Sequence, residues 1–247
     1  MKKGTLIFIF LLLLFMTAAA AADTEDPVYA PEFIARQETM LANAEQTFPR
    51  LLYTYSFDIP DKPSVSKPGD GFYLSERNNK LSRQEVMLSA YKPSSGVREW
   101  GTDFFSMTGS YENFYLGVDV WMIEHADTAD DYFWIRYTNE AIAGKTRSAG
   151  AEIAFPLAIR KYETGAGGRT YTNYCDLSGQ ADFYGYNRIE MTRLNGYTSV
   201  FINGHFIAGF EDGLSGRFYQ AFGAGLGPEQ GYITVEFDNF VLRTTRN

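Results

Sequence analysis

Apolar and polar positions alternate from residue 116 to 124. Leu116, Val118, Val120 and Met122 face one way, and Asp119, Trp121 and Ile123 the other. A period of two predicts a half-buried strand. The stretch 132–138 repeats the pattern, with Phe133, Ile135 and Tyr137 on one side and Trp134 and Arg136 on the other. Residues 153–159 read as a third apolar strand, which Pro156 places at an edge or a bulge. Residues 188–194, 197–202 and 205–210 form a tight meander, divided by Asn195-Gly196 and Asn203-Gly204. Asn-Gly is the favoured two-residue hairpin turn because both positions tolerate positive φ. Further strands are expected at 51–57, 104–107, 218–221 and 232–242. Residues 58–71 carry turn signals, 72–100 are ambiguous, and 163–187 read as a long loop with a short strand in it. Helical spacing appears at 31–48, where Phe33, Leu41, Ala44 and Phe48 recur behind Pro31. Proline suits a first helical turn, and this helix is expected to pack on the strands.

Many short strands with regular turn signals predict an all-β sandwich or barrel. Composition agrees, with 20 Phe, 17 Tyr and 23 Gly, and apolar residues at 45%, enough for one core. The first 22 residues stand apart. Lys2 and Lys3 precede an apolar run from Leu6 to Met16, and alanines fill 18–22. That is the layout of a cleaved signal peptide, and the run is short of the roughly 20 apolar residues of a membrane span. The expected organisation is a signal peptide over 1–22, a lead-in and helix over 23–50, and one β-domain over 51–247. A secreted or periplasmic location follows, with no membrane span after leader removal.

Losing Lys2 and Lys3 takes the formal charge from −8 to about −10. With no basic patch, nucleic acid and anionic membrane surfaces are excluded as expected partners. Cys175 is the only cysteine, so there is no internal disulfide and no cysteine metal set; it reads as a small buried hydrophobe. His125 and His205 show no ligand spacing. No Gly-x-Ser-x-Gly supports a serine nucleophile, and Gly165-Ala166-Gly167-Gly168 lacks the Lys-Ser/Thr of a phosphate loop.

The end of the chain resembles concanavalin A-like jelly rolls of the LamG type. The resemblance rests on Asn187-Arg188-Ile189-Glu190-Met191, on Val200-Phe201-Ile202-Asn203-Gly204, on the glycines 223, 225, 227 and 231, and on Val235-Glu236-Phe237-Asp238-Asn239-Phe240-Val241-Leu242. Residues 131–137 fit the central strand of the same plan. The resemblance covers residues 51–245 and implies an all-β fold, a two-sheet antiparallel jelly-roll sandwich, with the N-terminal helix packed on it. The family includes lectins, carbohydrate-binding modules, interaction domains and glycoside hydrolases. Its hydrolases carry Glu-x-Asp-x-x-Glu. Here Asp119 and Glu124 have no acidic residue two before Asp119, and their odd separation puts them on opposite faces of a regular strand. The catalytic signature does not carry over, so the reading leans away from an enzyme.

If the strands at 116–124, 132–138 and 188–194 are neighbours, one face of their sheet presents Asp119, Trp121, Trp134, Arg136 and Glu190. Rings that stack on sugars, beside carboxylates and arginine that bond hydroxyls, are the ingredients of a glycan site. These five are the candidate ligand-binding residues. The alternative is that loops cover this face, that the tryptophans are core, and that Arg136 pairs with Asp119 or Glu190 to neutralise buried charge. Asp119 and Glu190 are also the one carboxylate pair placed together for hydrolysis. No cofactor is called for. Calcium stays open at 124–131, which collects four acids in no defined calcium loop. The leading expectation is an exported, non-catalytic protein that binds a glycan or other surface ligand. A jelly-roll glycoside hydrolase or lyase and an envelope interaction domain are the alternatives. Neither ligand identity nor oligomeric state is written in the sequence.

Overall fold

A computed structural model describes residues 28–55, 72–78, 84–91, 98–103, 110–125, 132–139, 148–155, 158–165, 168–177, 185–226 and 232–245. The expected leader, the turn-rich 58–71, the expected strand at 104–107 and most of the acidic loop lie outside them.

Two antiparallel sheets make up the fold. In chain order the strands are β1 (Arg50–Tyr55), β2 (Phe72–Asn78), β3 (Gln84–Tyr91), β4 (Arg98–Asp103), β5 (Phe114–His125), β6 (Tyr132–Thr138), β7 (Ser148–Phe155), β8 (Ala158–Gly165), β9 (Gly168–Asp176), β10 (Tyr186–Leu194), β11 (Tyr197–Ile202), β12 (His205–Glu211), β13 (Tyr219–Leu226) and β14 (Tyr232–Thr244). The first sheet, sheet A, runs β12-β11-β10-β5-β14-β3-β2, and β1 also pairs with β14. The second, sheet B, runs β4-β13-β6-β7-β8-β9. Both Asn-Gly turns form as expected. Asn195 and Gly196 have φ of 53° and 82°, and Asn203 and Gly204 have 53° and 83°.

Three expectations need correction. The strand expected over 153–159 is two strands, since β7 ends at Phe155 and pairs antiparallel with β8 from Ala158. Residues 168–176 are a full strand rather than part of a long loop. The ambiguous 72–100 contain β2, β3 and the start of β4.

The core lies between the sheets. Leu116, Val118, Val120, Ile189, Met191, Phe237 and Leu242 of sheet A meet Phe133, Ile135, Ile153, Phe155, Ile159 and Phe222 of sheet B. Cys175 is buried in the same core, as expected of it. At one end a buried polar knot spans the sheets: Arg193 Nε donates to Asp212 Oδ2 at 2.6 Å, and the Tyr137 hydroxyl donates to the same oxygen at 2.7 Å.

The expected helix forms as α1 (Pro31–Ala42) and a short α2 (Ala44–Thr47), interrupted at Asn43. It packs on the outer face of sheet A. Leu41, Ala44 and Phe48 bury against Tyr115, Phe201 and Phe206. Polar ties fix its position: the Ser199 hydroxyl donates to Gln37 Oε1 at 3.0 Å, and the Phe206 amide donates to Glu38 Oε1 at 3.2 Å.

Candidate functional site

Each sheet has an outward face, and the five predicted residues are divided between the two. Asp119 and Trp121 lie on β5 and Glu190 on β10, which are neighbours in sheet A. Trp134 and Arg136 lie on β6, in the middle of sheet B. The expectation that β5, β6 and β10 share a sheet is therefore corrected. β5 takes its partners from β10 and β14, far along the chain, and the strand that follows it crosses to the other layer.

On sheet A, Arg188 occupies the space between the predicted acids. Its Nη1 donates to Asp119 Oδ1 at 3.1 Å and to the Asn239 carbonyl at 2.8 Å. Its Nη2 donates to the Tyr115 hydroxyl at 3.2 Å, and that hydroxyl donates to Glu190 Oε1 at 2.7 Å. Asn239 Nδ2 closes the ring on Asp119 Oδ2 at 2.7 Å. Asn239 reaches this position from a bulge in β14, with φ of 47°. Burial pulls the Arg188 guanidinium down, but Tyr115, Asp119 and Glu190 more than offset it and raise it overall. Buried charge is thus neutralised here, with Arg188 in the role that the alternative gave to Arg136. Trp121 stands beside this network, 38% exposed, 6.1 Å from the 49%-exposed Tyr186 ring.

A bulge between the Thr234 and Val235 pairings shifts the register, so that Glu124 pairs with Thr234 while Trp121 pairs with Glu236.

On sheet B the outward row runs straight across three hairpin-linked strands. Arg136 of β6 faces Glu152 of β7, which faces Arg160 of β8. Glu152 is fully buried between the two guanidiniums. Its Oε2 lies 3.1 Å from Arg136 Nε, and its Oε1 accepts from Arg160 Nε and Nη2, each at 2.7 Å. Burial pulls the Arg160 guanidinium down, and Glu152, Tyr132 and Tyr171 together raise it by more. Aromatic rings hold the arginines flat. Arg136 Cζ sits 3.4 Å from the centre of the Trp134 ring and 5.6 Å from that of Tyr162. Arg160 Cζ lies 3.9 Å over Tyr171 and 5.1 Å from Tyr132. These are cation–π distances. Trp134 and Arg136 are themselves buried, at 5% and 6% exposure, while Tyr171 is 40% exposed. Beside the row, β13 offers Ala221 and Gly223 as the register partners of Arg136 and Trp134.

Reading the sequence missed Glu152, Arg160, Tyr162 and Tyr171. The available signal was a single charge, Glu152, between Ala151 and Ile153 on an apolar strand. Arg160 lay just past the end of what read as one strand. No group of three or more His, Cys, Asp or Glu side chains able to hold a metal occurs among the described residues.

Layers, strand pairing and the outward rows together define an all-β sandwich of the concanavalin A-like jelly-roll type. Superposition on solved structures gives the same class. A fungal endo-β-1,4-glucuronan lyase from Trichoderma reesei matches with a TM-score of 0.52 at 13% identity, over 78% of this chain and 95% of the lyase. An endo-acting O-glycanase of the human gut microbiota, which initiates mucin breakdown, matches with a TM-score of 0.51 at 12% identity, over 79% of this chain and all of the other. The Bacillus subtilis carbohydrate-binding module CBM66 has a TM-score of 0.42 at 9% identity, over 73% of this chain and 99% of the module. No protein-family model and no curated protein sequence matches the chain.

Proposed function

We propose that this protein is an exported, non-catalytic glycan-binding sandwich whose binding surface is the outer face of sheet B. The observation that carries the reading is the Arg136–Glu152–Arg160 row with its rings. A sheet whose inner face already packs a full apolar core has no folding need for three charges on its other face. Replacing such groups by apolar ones is often neutral or stabilising, so their presence points to a ligand. Arginine and indole N–H groups held beside aromatic rings are groups that bond sugar oxygens. The lyase and the O-glycanase above, each with a TM-score above 0.5, are both named for acting on glycans, which supports the ligand class.

The described residues favour binding over hydrolysis. Hydrolysis of a glycoside takes two carboxyl groups about 5–9.5 Å apart. Along the described strands of sheet B, the acidic positions in register with the Glu152 face are Asp103 and Glu99 of β4 and Asp176 of β9. At about 4.8 Å per strand, β4 is about 14 Å and β9 about 10 Å from β7, and Asp176 lies a further register row along. The leader supports export: its basic start, short apolar run and terminal alanines are what signal peptidase acts on.

A glycan array with the purified protein, Trp134→Ala, Arg136→Ala and Trp121→Ala tests the assignment. Saturable binding is expected in the wild type and in Trp121→Ala, and is lost in the two sheet B variants, with thermal melting confirming each fold. Binding lost in Trp121→Ala alone would move the site to sheet A. No glycan bound by the wild type would sink the reading.

A further inference from the structure

The arrangement of donors on sheet B narrows the ligand further, granted that this face is the binding surface. Its aromatic rings are not open platforms. Guanidinium groups already occupy a face of Trp134, at 3.4 Å, and of Tyr171, at 3.9 Å. Stacking on a neutral sugar ring is therefore not the main chemistry these residues offer. What they offer is donors. Trp134 Nε1 is buried and has no hydrogen-bond partner. A buried donor left unmade forfeits its bond to water, and native proteins rarely tolerate that without a use. Arg160 commits Nε and Nη2 to one oxygen of Glu152, which leaves the N–H groups of Nη1 unspent on a side chain that still reaches solvent. Glu152 is fully buried between the arginines: its Oε1 bonds Arg160, and its Oε2 lies 3.1 Å from Arg136 Nε as an ion pair without a hydrogen bond. Two guanidiniums flank one carboxylate here, on a chain whose overall charge is −8.

We propose that this face selects saccharides that carry an oxyanion, a carboxylate or a sulfate, over neutral ones. Glu152 acts as a spacer and clamp. It holds the two guanidiniums apart in the plane of the sheet, and the rings beneath them fix their orientation. An arginine so held loses little further entropy when it binds, and its fork matches a carboxylate or sulfate edge. Trp134 Nε1 supplies a neutral donor beside it. The ligand's acceptor oxygens satisfy groups that the fold leaves unpaired, and a neutral sugar meets the same donors only with weaker hydroxyl acceptors.

Calorimetric titration of the purified protein with three oligosaccharide sets of equal length tests this: hexuronate oligomers, sulfated neutral-sugar oligomers and their unsulfated counterparts. Arg160→Gln and Arg160→Lys are titrated in parallel. Charge-assisted hydrogen bonds predict that at least one anionic set binds about tenfold or more tighter than the neutral set. The preference weakens as salt rises from low to physiological. It is lost in Arg160→Gln and reduced in Arg160→Lys, which keeps the charge but not the fork. The carboxylated and sulfated arms show which oxyanion is preferred. Neutral oligomers binding as tightly as anionic ones would overturn the selectivity and leave glycan binding standing. So would an unchanged preference in Arg160→Gln. Absence of binding to all three sets would overturn the binding reading itself.

Discussion

On the outer face of sheet A one cation, Arg188, lies between two acids, Asp119 and Glu190; on that of sheet B one acid, Glu152, lies between two cations, Arg136 and Arg160. The motifs are mirror images in charge, and they are finished differently. Around Arg188 the hydrogen bonds close on themselves through Tyr115 and Asn239. The Tyr115 ring then continues into the apolar contact with Phe48 under the helix. That network joins the sheet to the chain segment covering it, and a structural role accounts for its members. Around Glu152 the bonds do not close, because Trp134 Nε1 is left over. A finished network stabilises a fold, whereas the spare donor on sheet B is what the proposed ligand would satisfy.

The sharpest way to break this comparison is to delete the central residue of each motif. Glu152→Ala removes a fully buried carboxylate and leaves two guanidiniums facing each other. Breaking a buried pair in this way costs about 3–5 kcal/mol. Arg188→Ala leaves Asp119 and Glu190, whose side chains are 17% and 12% exposed and can take up water. The expected loss there is about 1–3 kcal/mol. Denaturant unfolding of both variants measures the difference. Equal losses would mean that the guanidiniums around Glu152 take up water as readily as the acids around Arg188 do.

A pH titration sharpens the comparison from the sheet A side. Burial pushes the Tyr115 hydroxyl from 10 up to about 12, with Arg188 opposing and Glu190 adding to the rise. Below pH 10 the group is neutral in both folded and unfolded chains. Between pH 10 and about 12 the unfolded chain ionises and the folded one does not, so stability falls as pH rises. At about 1.4 kcal/mol per unit, the loss approaches 3 kcal/mol by pH 12. Tyr115→Phe is expected to lessen that slope, to which Tyr137 and Tyr197, also raised by burial, still contribute. An identical alkaline slope in Tyr115→Phe and wild type would show that the hydroxyl is not held as described.

How much of this was legible in the sequence follows from what alternation can encode. The face of each residue along β5, β6 and β10 could be read, because period two is local. So could the two hairpins, because Asn-Gly turns are local as well. Which strands lie side by side is a long-range property. β5 and β6 are consecutive yet belong to different sheets, so Asp119 and Trp134 came out as neighbours when they point away from opposite sides of the sandwich. The row itself depends on the β7–β8 hairpin. Pro156-Leu157 carries no Asn-Gly signal, the two strands merged into one, and Arg160 was missed along with its alignment to Glu152. Arg188 was read as part of a strand motif rather than as the cation its neighbours require. Its partner Asn239 arrives through a bulge that no pattern announces.

The smallest expected effect tests whether the sheet A network is as tightly closed as its hydrogen bonds suggest. Gly117 lies beneath the Arg188 guanidinium, and a Cβ there would come within 2.3 Å of Arg188 Nη2 and 2.6 Å of the Tyr115 hydroxyl. The obstructing atoms are side-chain ends, which normally swing aside at little cost. These ends are pinned by bonds to Asp119, the Asn239 carbonyl and Glu190. Gly117→Ala must therefore break part of the network or shift the strand, and overpacking of that kind costs about 1–3 kcal/mol. On sheet B, Ala221 already carries a Cβ at the register position beside Arg136, so that row accepts one without strain. Thermal unfolding of Gly117→Ala reads the outcome directly. A variant as stable as wild type would show that the guanidinium moves freely, and the contrast between a closed and an open charge cluster would then rest on sheet B alone.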